Sequence, residues 1–151
     1  MPTKTKSPLQ GVAWPLEPFL VATLPLSPSV NGSYKTNGNA QFFASTDLKQ
    51  FKENATLSLY LDKHLWDWDI IRAIKESKVK IPLIMTMDFH FKTLWLRDLS
   101  GPIKATEDAL FDYIGLNDRL VVDMHPRKFA DKENPRCEIS LSVCVERIGE
   151  C

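Results

Sequence analysis

Apolar positions along this chain switch between two periods, one of strands and one of helices. Pro18 to Leu26 (PFLVATLPL) is a short apolar run that predicts a first strand, and Pro25 and Pro28 end it because proline cannot continue a ladder. Ser29 to Asn39 holds the turn formers Asn31, Gly32, Gly38 and Asn39, so spacing favours a surface hairpin, with Ala40 to Ala44 as a second short strand. Ser45 or Thr46 is placed to cap a helix whose first turn carries Asp47. Leu48, Phe51, Ala55 and Leu59 then make a helical stripe. The pattern slips between Asp62 and Asp67, and Trp68, Ile71, Arg72 and Ile74 resume it to Lys75, as one bent helix or two. Trp66 and Trp68 fit packing within the subunit or a subunit contact.

Val79 to Phe91 (VKIPLIMTMDFHF) predicts a strand with Met85, Met87, Phe89 and Phe91 on one face and Thr86, Asp88 and His90 on the other. Thr93 to Leu99 is a loop. A helix follows from Ser100 or Gly101, with Pro102 in its first turn and Ile103, Thr106, Leu110, Tyr113 and Ile114 on its buried side. Gly115 is its C-cap. Leu120 to Val122 begins another strand, in which Pro126 implies an edge or a bulge; Asp131 to Pro135 is a turn; Cys137 to Ile148 alternates as the last strand. Strands and helices in this mixture predict an α+β fold.

Length refines this to one domain, since 151 residues fall in the usual single-domain range. Residues 1–17 are rich in Pro, Lys and Ser and have no period, which predicts a flexible leader before a domain over 18–151. Trp14 either packs back on that domain or is a loosely anchored tail residue. Formal net charge is zero, which by itself weighs against nucleic acid. Its distribution weighs the other way: from Lys78 to Lys104, the basic residues Lys78, Lys80, Lys92, Arg97 and Lys104 outnumber the acids Asp88 and Asp98. Cys137, Cys144 and Cys151 lack metal-knuckle or disulfide spacing, as in a reducing cytoplasm. No run is long enough for a membrane span, and no apolar core of a signal peptide follows Lys4 and Lys6.

Candidate chemistry gathers around one helix. Asp98 lies in the loop before it, Lys104 in its early part and Asp118 in the turn after it. Carboxylates brought together are tolerated best around a divalent cation, and Mg²⁺ prefers such hard oxygen ligands. A lysine beside them holds or neutralises a phosphate. The plain alternative is a solvated helix face on which Lys104 and Asp108, four residues apart, form an ion pair, and Ser100 is only a cap. His90 has no second histidine partner and fits an ordinary hydrogen-bonded side chain better than a metal ligand.

Two motifs carry a resemblance. Arg97-Asp98-Leu99-Ser100-Gly101-Pro102-Ile103-Lys104-Ala105-Thr106-Glu107-Asp108-Ala109-Leu110, then Gly115-Leu116-Asn117-Asp118, resembles the R-D-L-D-N-x-x-K-A-x-x-D-A-L and D-D signature of the RusA-like Holliday-junction resolvases. Upstream, Leu24-Pro25-Leu26-Ser27-Pro28-Ser29-Val30-Asn31-Gly32-Ser33-Tyr34 resembles that family's L-P-x-P-P-S-x-N-x-x-Y opening. The resemblance spans roughly residues 18 to 148 and implies a small mixed β-sheet packed with two or three helices. It implies Asp98, Lys104 and Asp118 as catalytic residues, with Mg²⁺ (or Mn²⁺) on Asp98 and Asp118 and Asp123 as a further candidate ligand. Asn31, Tyr34, Lys35, Arg97, Arg127 and Lys128 are the implied DNA contacts. A homodimer acting on four-way DNA junctions in recombination and repair would follow.

Ser100 departs from the pattern, because the family has an acid there; Gly101 and Asn117 also differ. A hydroxyl is neutral and ligates Mg²⁺ more weakly than a carboxylate. The site then works with fewer acids, borrows Asp123 or Asp88, or binds junctions without cutting them. A third class, an interaction adaptor with no nucleic-acid role, is favoured only by zero net charge and four tryptophans.

Overall fold

A computed structural model of the chain describes residues 4–6, 13–28, 34–36, 42–44 and 46–151. The described strands are β1 (Lys4–Lys6), β2 (Ala13–Pro15), β3 (Leu20–Leu24), β4 (Tyr34–Thr36), β5 (Phe42–Ala44), β6 (Leu83–Phe91), β7 (Val121–Ala130) and β8 (Arg136–Val143). The described helices are α1 (Thr46–Asp62), α2 (Trp68–Glu76) and α3 (Ser100–Ile114). The central sheet has the order β3-β8-β6-β7, and β1-β2 and β4-β5 are separate antiparallel pairs. Within the central sheet β3, β8 and β6 are antiparallel neighbours, while β7 runs parallel to β6. This is the expected α+β arrangement of a mixed sheet packed with helices.

Strand β6 organises the core because its alternation is strict. Leu83, Met85, Met87, Phe89 and Phe91 have no exposed surface, while Ile84, Thr86, Asp88 and His90 are half-buried on the other face. Cys137, Ile139, Leu141 and Val143 of β8 and Leu20, Ala22 and Leu24 of β3 extend the same apolar face. The stripe Leu48, Phe51, Ala55 and Leu59 of α1 is buried in this core. Trp14, inside the stretch read as a leader, is also fully buried in it, so the packed reading of that residue holds.

The slip between Asp62 and Asp67 resolves into two helices separated by a 3-10 turn at Lys63–Leu65. Asp67 caps α2 by accepting a hydrogen bond from the Ile70 amide at 3.2 Å. Trp66 is buried within the subunit, donates its indole N–H to the Val21 carbonyl at 3.0 Å, and meets Tyr113 edge-on at 5.9 Å. Trp68 stays partly exposed, with its indole N–H on the Lys63 carbonyl at 2.8 Å.

The structure departs from the sequence pattern at the last strand and on the buried face of α3. The last strand stops at Val143 rather than Ile148, because Val143 and Cys144 are both buried and the alternation breaks; the Cys144 amide donates to the Pro82 carbonyl at 2.8 Å and a 3-10 turn follows. On α3 the fully packed face includes Phe111, while Ile103 and Tyr113 are only partly buried. Ser45 and Asn31 lie outside the described residues. Pro126 falls in β7, the edge strand, where a residue without an N–H is tolerated.

Helix α3 ends where expected. Gly115 has φ 73° and its amide donates to the Phe111 carbonyl at 2.9 Å. An added Cβ would meet Lys75 Nζ at 3.3 Å in a conformation that L side chains rarely adopt. Gly115→Ala is therefore expected to lower stability by about 1 kcal/mol or more, read from the urea midpoint; an unchanged midpoint would show that the left-handed cap contributes nothing.

Candidate active site

The parallel pairing of β6 and β7 requires a crossover, and α3 supplies it. The loop before α3 and the turn after it therefore hang on one rigid element. Lys104 projects from this helix with Nζ 3.0 Å from Asp108 Oδ1 and 3.3 Å from Asp118 Oδ2. Asp108 is the i+4 partner on the helix; Asp118 opens a 3-10 turn after Asn117, whose side chain accepts from the Arg119 amide. Of Asp98, Lys104 and Asp118, which the sequence reading expects to meet, Lys104 and Asp118 lie in contact, and the Lys104–Asp108 pair is also present.

Glu107 was not anticipated. It is half-buried one turn after Lys104 and shares a hydrogen bond with Asp118. Burial, then the Asp118 hydrogen bond and charge, push the Glu107 carboxyl up to about 7. The hydrogen bonds from Lys104 and Glu107 hold Asp118 below the usual carboxylate range, and the two aspartates raise the Lys104 ammonium well above its ordinary value. The available signal was the i+3 spacing of Glu107 from Lys104, which puts both on one side of the helix.

Asp98 and Asp123 share no hydrogen bond or ion pair with this cluster among the described residues. Asp98 is exposed; its carbonyl accepts from the Gly101 amide at 3.3 Å, and its carboxylate makes no hydrogen bond or ion pair among the described residues. Asp123 pairs with His125 Nε2 at 3.0 Å on β7. Ser100 opens α3 exposed, with no hydrogen bond from its hydroxyl among the described residues. No group of three or more His, Cys, Asp or Glu is arranged to hold a metal ion among the described residues.

The two motifs meet at Ser27. Its buried hydroxyl donates to the Pro102 carbonyl at 3.2 Å, and its own carbonyl accepts from the Arg97 guanidinium. Arg97 Nε and Nη2 are buried without a partner, and burial lowers the Arg97 pKa. The guanidinium lines a cleft of about 330 Å³ with Pro25, Ser27, Asp47 and Gln50. A protein-family model described as Endodeoxyribonuclease RusA matches residues 25–142, from the first motif to the end of the sheet. The chain belongs to the RusA endodeoxyribonuclease family. A search of curated proteins gives no match.

Members of the RusA family are endonucleases that bind and resolve branched DNA junctions, and their chemistry is generally divalent-metal dependent. The matched segment contains Asp98, Lys104, Glu107 and Asp118. Of the basic side chains expected on DNA in a RusA fold, Arg127 is committed to Asp88 through two bonds of 2.8 Å and lies over Phe129, while Lys128 donates to the Leu94 carbonyl at 3.2 Å. Tyr34 and Lys35 lie in β4 opposite β5. His90 stacks on Phe129 at 5.0 Å and lies 3.7 Å from Glu138, a packing role rather than a ligand cluster. No described helix is long and apolar enough to cross a membrane.

A raised carboxyl pKa adds stability below its unfolded value, and that contribution is lost as pH rises through about 7. Glu107→Gln has no such proton to lose. In metal-free buffer its urea stability should improve relative to the parent between roughly pH 5 and pH 8. A constant difference across that range would show that Glu107 ionises normally.

Proposed function

We propose that this chain is a homodimeric, Mg²⁺-dependent junction-resolving endonuclease of recombination and repair, with residues 18–151 as its nuclease domain. The observation that carries the reading is Lys104 held 3.3 Å from Asp118 on the crossover helix, within a segment matched to the family.

The donor chemistry fits a hard divalent cation. Glu107 and Asp118 share a hydrogen bond with one carboxyl favoured protonated, and a cation takes such a proton's place. Asp118 with Asp98 would hold Mg²⁺, which supplies Lewis-acid charge and lowers the pKa of bound water. Asp123, paired with His125, belongs to the sheet instead. Lys104 remains an ammonium at any working pH and presents its charge to the negative charge gathering on the phosphate. Asp108 and Asp118 fix its position. Arg97 lines a cleft beside the site loop, and its guanidinium suits a DNA phosphate. Two such sites on a two-fold dimer match the symmetry of a four-way junction.

Ser100 favours a second reading, a junction-binding protein with weakened or no cleavage, because the position the family gives to an acid carries an exposed hydroxyl here. A labelled four-way junction incubated with Mg²⁺ or Mn²⁺, beside linear duplex, separates the two. Paired symmetric nicks are expected, abolished in Asp118→Asn and reduced about a hundredfold to a thousandfold in Lys104→Ala. Tight junction binding without nicks would replace the first reading by the second, with Ser100→Asp as the rescue. Absence of any junction preference would overturn both and leave an adaptor.

A further inference from the structure

We infer that Trp95 is a stacking platform for a DNA base whose face is uncovered at a branch, and that it sets the preference of this chain for branched over continuous duplex DNA. The inference rests on the DNA-binding reading above and adds a specificity residue outside the Lys104–Asp118 cluster.

Trp95 is 84 % exposed, the most exposed large apolar side chain among the described residues. The other three tryptophans contrast with it: Trp14 and Trp66 are buried, and Trp68 is tied to Lys63. A ring of this size left in water forgoes a large burial gain, so its place asks for an occupant. The loop that carries it is anchored. Leu96 N–H donates to the Thr93 carbonyl at 3.4 Å, and Lys128 of β7 donates to the Leu94 carbonyl at 3.2 Å. The same ammonium lies 5.7 Å from the Trp95 ring centroid. Lys92, three residues before Trp95, is exposed, and Arg97 and Asp98 follow within three residues.

An aromatic face flanked by cations fits a nucleobase with its phosphates, since stacking takes the base and the cations take the backbone. An acidic or apolar protein partner would use only one of the two features. In continuous duplex each base face is already stacked on its neighbours. At a branch point or flap a face is free, so stacking on Trp95 costs no unstacking there. The contact therefore discriminates DNA by shape, without reading sequence. Because the ring touches solvent on most of its surface, its replacement leaves the core intact.

The test measures binding of the full chain in EDTA to a four-way junction carrying 2-aminopurine at the branch, and to a continuous duplex of equal length. Trp95→Ala should lose about tenfold to a hundredfold in junction affinity, keep its duplex affinity, and lose the change in 2-aminopurine fluorescence on binding. Trp95→Tyr should recover most of the preference, and Trp95→Leu little of it. An unchanged junction-to-duplex ratio in Trp95→Ala, with the parent preferring the junction, would overturn this inference alone. So would an equal loss on both DNAs, or a shift in sedimentation with unaltered DNA binding, which would make the ring a subunit contact. A parent chain with no junction preference would overturn the proposed function and this inference with it.

Discussion

Two parallel strands cannot be joined by a tight turn, and most of this molecule follows from that constraint. Strands β6 and β7 pair in parallel, so the chain leaves the end of β6, returns along α3 and re-enters the sheet at β7. The connection carries Arg97, Asp98, Lys104, Glu107 and Asp118 in one pass. The apolar side of α3 is bound to the core through Leu110, Phe111 and Ile114, which fixes the direction of its polar side. The candidate site is thus held by the most buried strand in the sheet while it stays open to a large substrate.

Electrostatics at the site are those of a compensated cluster. One ammonium lies between two carboxylates, and a third carboxyl leans on Asp118 and is driven towards its neutral form. Removing the ammonium would leave carboxyls that repel at close range, so the lysine is both charge donor and organiser of the group. Glu107 gives this chain an acid near Asp118 that the family signature does not call for, while Ser100 removes one that it does. Asn117 likewise replaces the first acid of the closing pair, so the chain carries fewer of the signature's acids and one of its own on the helix face.

A second tie joins sequence segments about seventy residues apart. Ser27 bonds the start of α3 through Pro102 and receives Arg97, so the proline-rich opening motif acts as a brace for the site loop. The segment matched to the family begins at Pro25 and so includes this brace. Neutral overall charge is compatible with a DNA enzyme here because many cations and anions neutralise one another on the sheet face. Arg127 with Asp88, and Arg136 with Asp131 and Glu138, are the clearest cases. Arg97, by contrast, makes no ion pair with an acid among the described residues and gives a donor to the Ser27 carbonyl.

Local pattern by itself determined the burial of Met85, Met87, Phe89 and Phe91, the stripe of α1, the left-handed cap at Gly115 and the Lys104–Asp108 pair. Each depends on neighbours within a strand period or a helical turn, so chain spacing is sufficient. The residue motifs also carried the family and the pairing of Lys104 with Asp118. Tertiary structure decided what depends on distant partners. It buried Trp14 and Phe111, ended the last strand at Val143, raised Glu107 through burial and contact with Asp118, and committed Arg127 to Asp88. It also set Asp123 on the sheet, where strand register rather than spacing in sequence fixes where a carboxylate points, and left Asp98 exposed in the loop before α3.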